Sequence, residues 1–110
     1  MMLNYTNELL ELLKILASSA QVQLTYLEGL GNPSVDELAL EFDDLFLLAS
    51  SKVETGVLTS PQFDLLERLN SKLDEISGVD MCWTTTAISD SKEWEEIRVL
   101  ANLCLKKISP

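Results

Sequence analysis

The side chains with the greatest chemical potential in this sequence are carboxylates crowded into one short stretch. Glu37, Glu41 and Asp44 fall at i, i+4 and i+7, which places them on one face of a helix, with Asp36 and Asp43 on a neighbouring line. Like charges at this spacing cost an isolated helix a few tenths of a kcal/mol per pair, so local helix stability does not explain them. One reading is a binding stripe: a basic partner surface is steered to Glu37, Glu41, Asp43 and Asp44, and its on-rate falls with salt. The plainer reading is a solvated face, or one paired to Arg68, Lys72 or Arg98 from another helix.

Metal and catalytic chemistry are poorly served. Carboxylates could hold Mg²⁺, Ca²⁺ or Mn²⁺ through oxygen, but the sequence has no EF-hand loop. It contains no histidine, which removes the commonest transition-metal ligand, the Glu-x-x-His pairs of di-iron bundles, and any Ser-His-Asp or Cys-His arrangement. Neither GxGxxG nor GxxxxGK[ST] occurs. Ser50-Ser51-Lys52 matches serine–lysine chemistry only at the level of coincidence, and carboxylates on a single helix define no cleft. No cofactor and no metal are expected. Cys82 and Cys104, in apolar surroundings without CxxC spacing, read as buried thiols rather than as a secreted disulfide framework. Trp83 and Trp94 read as core anchors, with an exposed binding hot spot as the alternative.

The charge balance narrows the partners. Eight basic residues face eighteen acidic ones for a net charge of −10, and no basic residue lies between Lys14 and Lys52. Nucleic acid and anionic membrane surfaces both require clustered Lys and Arg, so neither is expected as a partner. Residues 1–55 carry nine acids against two bases and residues 56–110 nine against six, so a basic partner should meet the N-terminal half. The N-terminal stretch lacks a basic segment followed by an apolar one, and no apolar run approaches the roughly 18 residues of a membrane span. A cytoplasmic location is the expectation.

The elements that must position these groups are helical. Leu9, Leu12, Leu13 and Leu16 recur at helical spacing in a segment spanning residues 4–20, and Val22, Leu24, Leu27 and Leu30 continue the signal, with a second short helix as one reading, before Gly29, Gly31, Asn32 and Pro33 break it. Ser34 with Glu37 has capping-box spacing and opens a helix with the stripe Leu38, Phe42, Leu45 and Ala49, ending near Ser51. Leu40, Leu47 and Leu48 lie off that stripe, so this helix has a second apolar face suited to self-association.

Thr59 with Gln62 is another capping box, with Pro61 in the first turn and Leu58 placed to staple against Phe63. Its helix buries Phe63, Leu66, Leu69, Leu73 and Ile76, and Gly78 is the expected stop. Residues 79–89 read as a packed loop holding one helical turn. Asp90 with Glu93 then opens a last helix lined by Trp94, Ile97, Ala101, Cys104 and Ile108, whose negative end carries Lys106 and Lys107. The whole predicts one all-α domain over residues 1–110, a compact bundle of four to five helices. A chain of this size buries roughly two-thirds of its surface, enough for one core.

Three stretches carry a resemblance. The string DELALEFDD at residues 36–44, then Ile76-Ser77-Gly78, then Trp83-Thr84 followed by WEEIRVLA at 94–101 resemble a family of small bacterial proteins of uncharacterised function, over about residues 26–105. The resemblance implies no activity, cofactor or catalytic residue, though small acidic bacterial proteins include immunity partners of toxins. The functional expectation is therefore a protein–protein interaction module, immunity-like in inhibiting a basic partner. A homo-oligomeric (for instance homodimeric) structural protein is the alternative, and an enzyme with a carboxylate-lined pocket comes third.

Overall fold

The computed structural model describes residues 5–29, 37–76 and 85–108. Over these the chain is helical throughout: α1 (Tyr5–Leu16), α2 (Ala20–Gly29), α3 (Glu37–Phe46), α4 (Ala49–Glu54), α5 (Ser60–Ile76), α6 (Thr85–Asp90) and α7 (Lys92–Ile108). Four helices make the bundle. Helix α1 packs on α7, α7 on α5, α5 on α3, and α3 back on α1, while α2 lies against α1 and α6, and α4 against α3 and α5. Their apolar stripes converge on a core that includes Trp94, fully buried as its place on the stripe of α7 predicts. In the same core Leu9, Leu13, Phe42, Leu66, Leu69 and Ile97 are equally inaccessible. Each such side chain contributes about 1.5–3 kcal/mol by leaving water.

Local chemistry sets the ends. At α5 the capping box forms as its spacing predicts: Gln62 N–H donates to Thr59 Oγ1 at 3.3 Å and Thr59 N–H to Gln62 Oε1 at 2.8 Å. The Gln62 amide also donates to the Lys107 carbonyl at 3.2 Å, tying the start of α5 to the end of α7. At α7 the cap is not Asp90. That residue is the last of α6, so its backbone is already helical, and Ser91 becomes the cap, its Oγ accepting from Trp94 N–H at 3.2 Å.

The acidic helix also divides. Instead of running unbroken toward Ser51, it ends at Phe46, where Leu48 N–H turns back to the Leu45 carbonyl at 3.2 Å in a tighter i→i+3 turn. The same carbonyl accepts from Tyr5 Oη at 2.8 Å, so α1 holds the break in place. Helix α4 then buries Ala49 and stops in a Schellman motif: Val57 N–H reaches the Lys52 carbonyl at 2.9 Å, Gly56 N–H the Val53 carbonyl at 3.1 Å, and Gly56 takes φ +82°. This division, and the short α6 within residues 79–89, raise the helical segments among the described residues to seven. The cap at Ser34, the stop at Gly78 and the side chains of Asp36, Cys82 and Trp83 lie outside the described residues.

Helix α1 ends at Leu16, short of residue 20, because a polar side chain terminates it. Gln23 is fully buried; its amide donates to the Leu16 carbonyl at 2.9 Å and to the Ile15 carbonyl at 3.2 Å, which also accepts from Ser18 N–H at 3.1 Å. Its Oε1 accepts from Arg98 Nε at 3.2 Å, and the Arg98 guanidinium also donates to the Ile88 carbonyl of α6. Gln23 thus joins α1, α2, α6 and α7. The buried face of α2 is Gln23 and Leu27, and Val22, expected on the apolar side, is 48% exposed.

Candidate functional site

Burial of Leu38 and Phe42 fixes the orientation of α3 and hence of its carboxylates. Glu37 and Glu41 are half-buried, and Asp43 and Asp44 are exposed. They do not act as one set. Glu41 turns toward α2, where Tyr26 Oη lies 2.9 Å and 2.8 Å from its two carboxylate oxygens and donates to them. The Tyr26 phenol is pushed up to about 12, first by burial, then by this hydrogen bond and by the negative charge of Glu41 and Glu37. The bond fastens α2 to α3.

Glu41 and Asp44 form one bank of a groove of about 690 Å³ between α1 and α3. The other bank comes from α1, where Glu8 and Glu11 are exposed and line the same space. Leu12 of α1 and Leu45 of α3 line the same space, with Ile15 one turn beyond Glu11 on α1 and Tyr26 contributed by α2. The two helices run side by side, with Tyr5 beside Leu45 at one end and Tyr26 of the adjoining α2 beside Glu41 at the other. Glu37 and Asp43 are not part of this lining.

Among the described residues no cation lines the groove. Lys14 approaches Glu11 at 3.5 Å on the exposed surface of α1, a pair worth about 0–1 kcal/mol. Two of the cations expected as internal partners, Lys72 and Arg98, are engaged elsewhere. Lys72 lies 2.6 Å from Glu96 and 3.9 Å from Glu75, and Arg98 lies 3.2 Å from Glu95 rather than pairing with α3. Glu8, Glu11 and Asp44 are therefore exposed with one weak internal counter-charge, while Glu41 is held by the Tyr26 hydroxyl.

Sequence reasoning placed Glu41 and Asp44 on a common face but did not find Glu8, Glu11 or Tyr26. Glu8 and Glu11 occur at i, i+3 in a helix whose acids read as the ordinary polar side of an amphipathic segment, so nothing local marked them. The second apolar face expected on one helix is split: Leu40 lies on α3 and Leu47 and Leu48 in the turn before α4, and they are 54%, 71% and 49% exposed. Cys104 is a fully buried free thiol, pushed up to about 12 by burial, which keeps it protonated and unreactive.

Among the described residues no three acidic or thiol side chains converge closely enough to hold a metal ion, and no helix is long and apolar enough to cross a membrane. No protein-family model, curated protein or solved structure matches the chain.

Proposed function

We propose that this protein is a protein–protein interaction module that recognises a basic partner through the acidic face of α1 and α3. The observation that supports the reading is the groove itself, with Glu8, Glu11, Glu41 and Asp44 beside apolar side chains and no lining cation among the described residues. Such a surface concentrates positive charge near it and speeds encounter with a basic protein, an effect that salt screens. An inhibitor of the immunity kind would use it to cover a basic functional surface. An open groove also suits a binding segment better than catalysis on carboxylates, which calls for a site that excludes water.

The test is affinity capture from native lysate at low and high salt, with Glu41→Lys/Asp44→Lys as the control. A basic protein retained at low salt, released by high salt and missed by the variant is the expected result. A partner retained equally by both forms refutes the assignment of the surface.

A second reading has its own observation. Leu40, Leu47 and Leu48 are large apolar side chains left in solvent on and just beyond α3, a surface suited to self-association. Sedimentation equilibrium across a dilution series with Leu47→Lys tests it: a dimer lost in the variant supports homo-oligomerisation, and a monomer throughout removes it.

A further inference from the structure

We infer that the α1/α3 groove seats a single amphipathic helix of the partner, whose apolar stripe lies on Leu12, Ile15 and Leu45 and whose flanking lysines or arginines meet Glu8 and Glu11 on one side and Glu41 and Asp44 on the other. This rests on the binding reading above and adds the form of the ligand. The groove is not simply an acidic patch. Its lining sets Leu12, Ile15 and Leu45 beside carboxylates of both helices, so the complement is an apolar strip flanked by cations.

A helix supplies that arrangement. Its apolar positions at i, i+3 and i+4 form one stripe, with cations immediately on both sides. An extended basic chain does not, because successive side chains point to opposite faces and half of its cations face away from the protein. Length agrees as well. From Glu8 to Ile15 the lining follows two turns of α1, about 11 Å at 1.5 Å per residue, with the apolar pair Leu12 and Ile15 in the second turn, and a partner helix of two to three turns covers it. Glu41 is held toward the groove by the Tyr26 hydroxyl, so one contact on the α3 bank is positioned before any ligand arrives.

Fluorescence anisotropy with two labelled probes tests this: a peptide of leucine and lysine at amphipathic helical spacing, and octalysine, which carries charge without an apolar stripe. Binding of the amphipathic peptide should be tighter by about tenfold or more, the effect of burying one or two leucine side chains. Ile15→Ser should weaken the amphipathic peptide about tenfold and leave octalysine unchanged. Glu8→Gln/Asp44→Asn should weaken both probes, about two- to fivefold per carboxylate.

If the carboxylate variant weakens both probes but Ile15→Ser changes neither, the helix-in-groove inference is overturned and the acidic binding reading stands. If the carboxylate variant changes neither probe, both fall. Amide chemical-shift mapping on the unmutated protein gives a readout that no folding defect can mimic. Perturbations gathered on α1 and α3 around Leu12, Ile15 and Leu45 support the seat, and perturbations spread over the acidic surface or centred elsewhere overturn it.

Discussion

Replacing Gln23 by methionine keeps the volume of the side chain and removes all of its hydrogen bonds. The structure sets the cost. At the end of α1 the Leu16 carbonyl loses a donor at about 1 kcal/mol and the Ile15 carbonyl, which keeps the Ser18 N–H, at about 0.5 kcal/mol, and the Arg98 guanidinium loses an acceptor worth about 1.5–3 kcal/mol. The sum is about 3–5 kcal/mol, a large part of the 5–15 kcal/mol typical of a domain. With an unfolding entropy of about 2.1 cal/mol/K per residue over 110 residues, the thermal midpoint should fall by roughly 13–22 °C.

Urea unfolding followed by circular dichroism measures the change, with the slope expected to stay constant. Arg98→Met and the double variant complete a cycle in which Gln23 and Arg98 should couple by about 1–3 kcal/mol. A loss below about 1 kcal/mol for Gln23→Met would show that the carbonyls find other partners and that Gln23 does not organise the fold. Because Tyr26 lies three residues further along α2, the same variant should also loosen one side of the groove.

Other substitutions probe the remaining local chemistry. Thr59→Ala should cost about 1 kcal/mol through the lost cap of α5, and Gln62→Ala more, since its amide also holds the Lys107 carbonyl; equal effects in urea titrations would discount that second bond. Gly56→Ala should destabilise by about 1–2 kcal/mol from its φ of +82° alone, because nothing lies within 4 Å of the added methyl, and Gly56→Asn should recover part of the loss. A neutral Gly56→Ala change would contradict the left-handed turn.

The Cys104 thiol, raised from 9.0 to about 12 by burial, favours the folded state fully below pH 9, and its contribution is lost as pH rises toward about 12. Alkylation of Cys104, followed by peptide-resolved mass spectrometry at mildly alkaline pH, should therefore proceed only as fast as the protein opens. A rate matching that of the unfolded chain would show the thiol to be accessible.

What the sequence determined by itself is whatever depends on neighbours along the chain. The helical periods, the Thr59–Gln62 box, the apolar stripe of Trp94, Ile97 and Ala101, and the shared face of Glu41 and Asp44 all follow from residues within a few turns of one another. The structure bears each of them out. The shift of the α7 cap to Ser91 was nearly legible, and failed only because α6 extends through Asp90.

Tertiary structure alone decided the rest. Gln23 is polar, and period-based reading assigns polar residues to water; only the meeting of α1, α2 and α7 gives it the partners that make burial favourable. The division of α3 from α4 coincides with a hydroxyl forty residues away, that of Tyr5, on the Leu45 carbonyl. The groove likewise exists only because Glu8 and Glu11 of one helix line the same space as Glu41 and Asp44 of another. Side-chain periodicity records which face of a helix is buried, but it carries no information about which second helix comes to lie beside it.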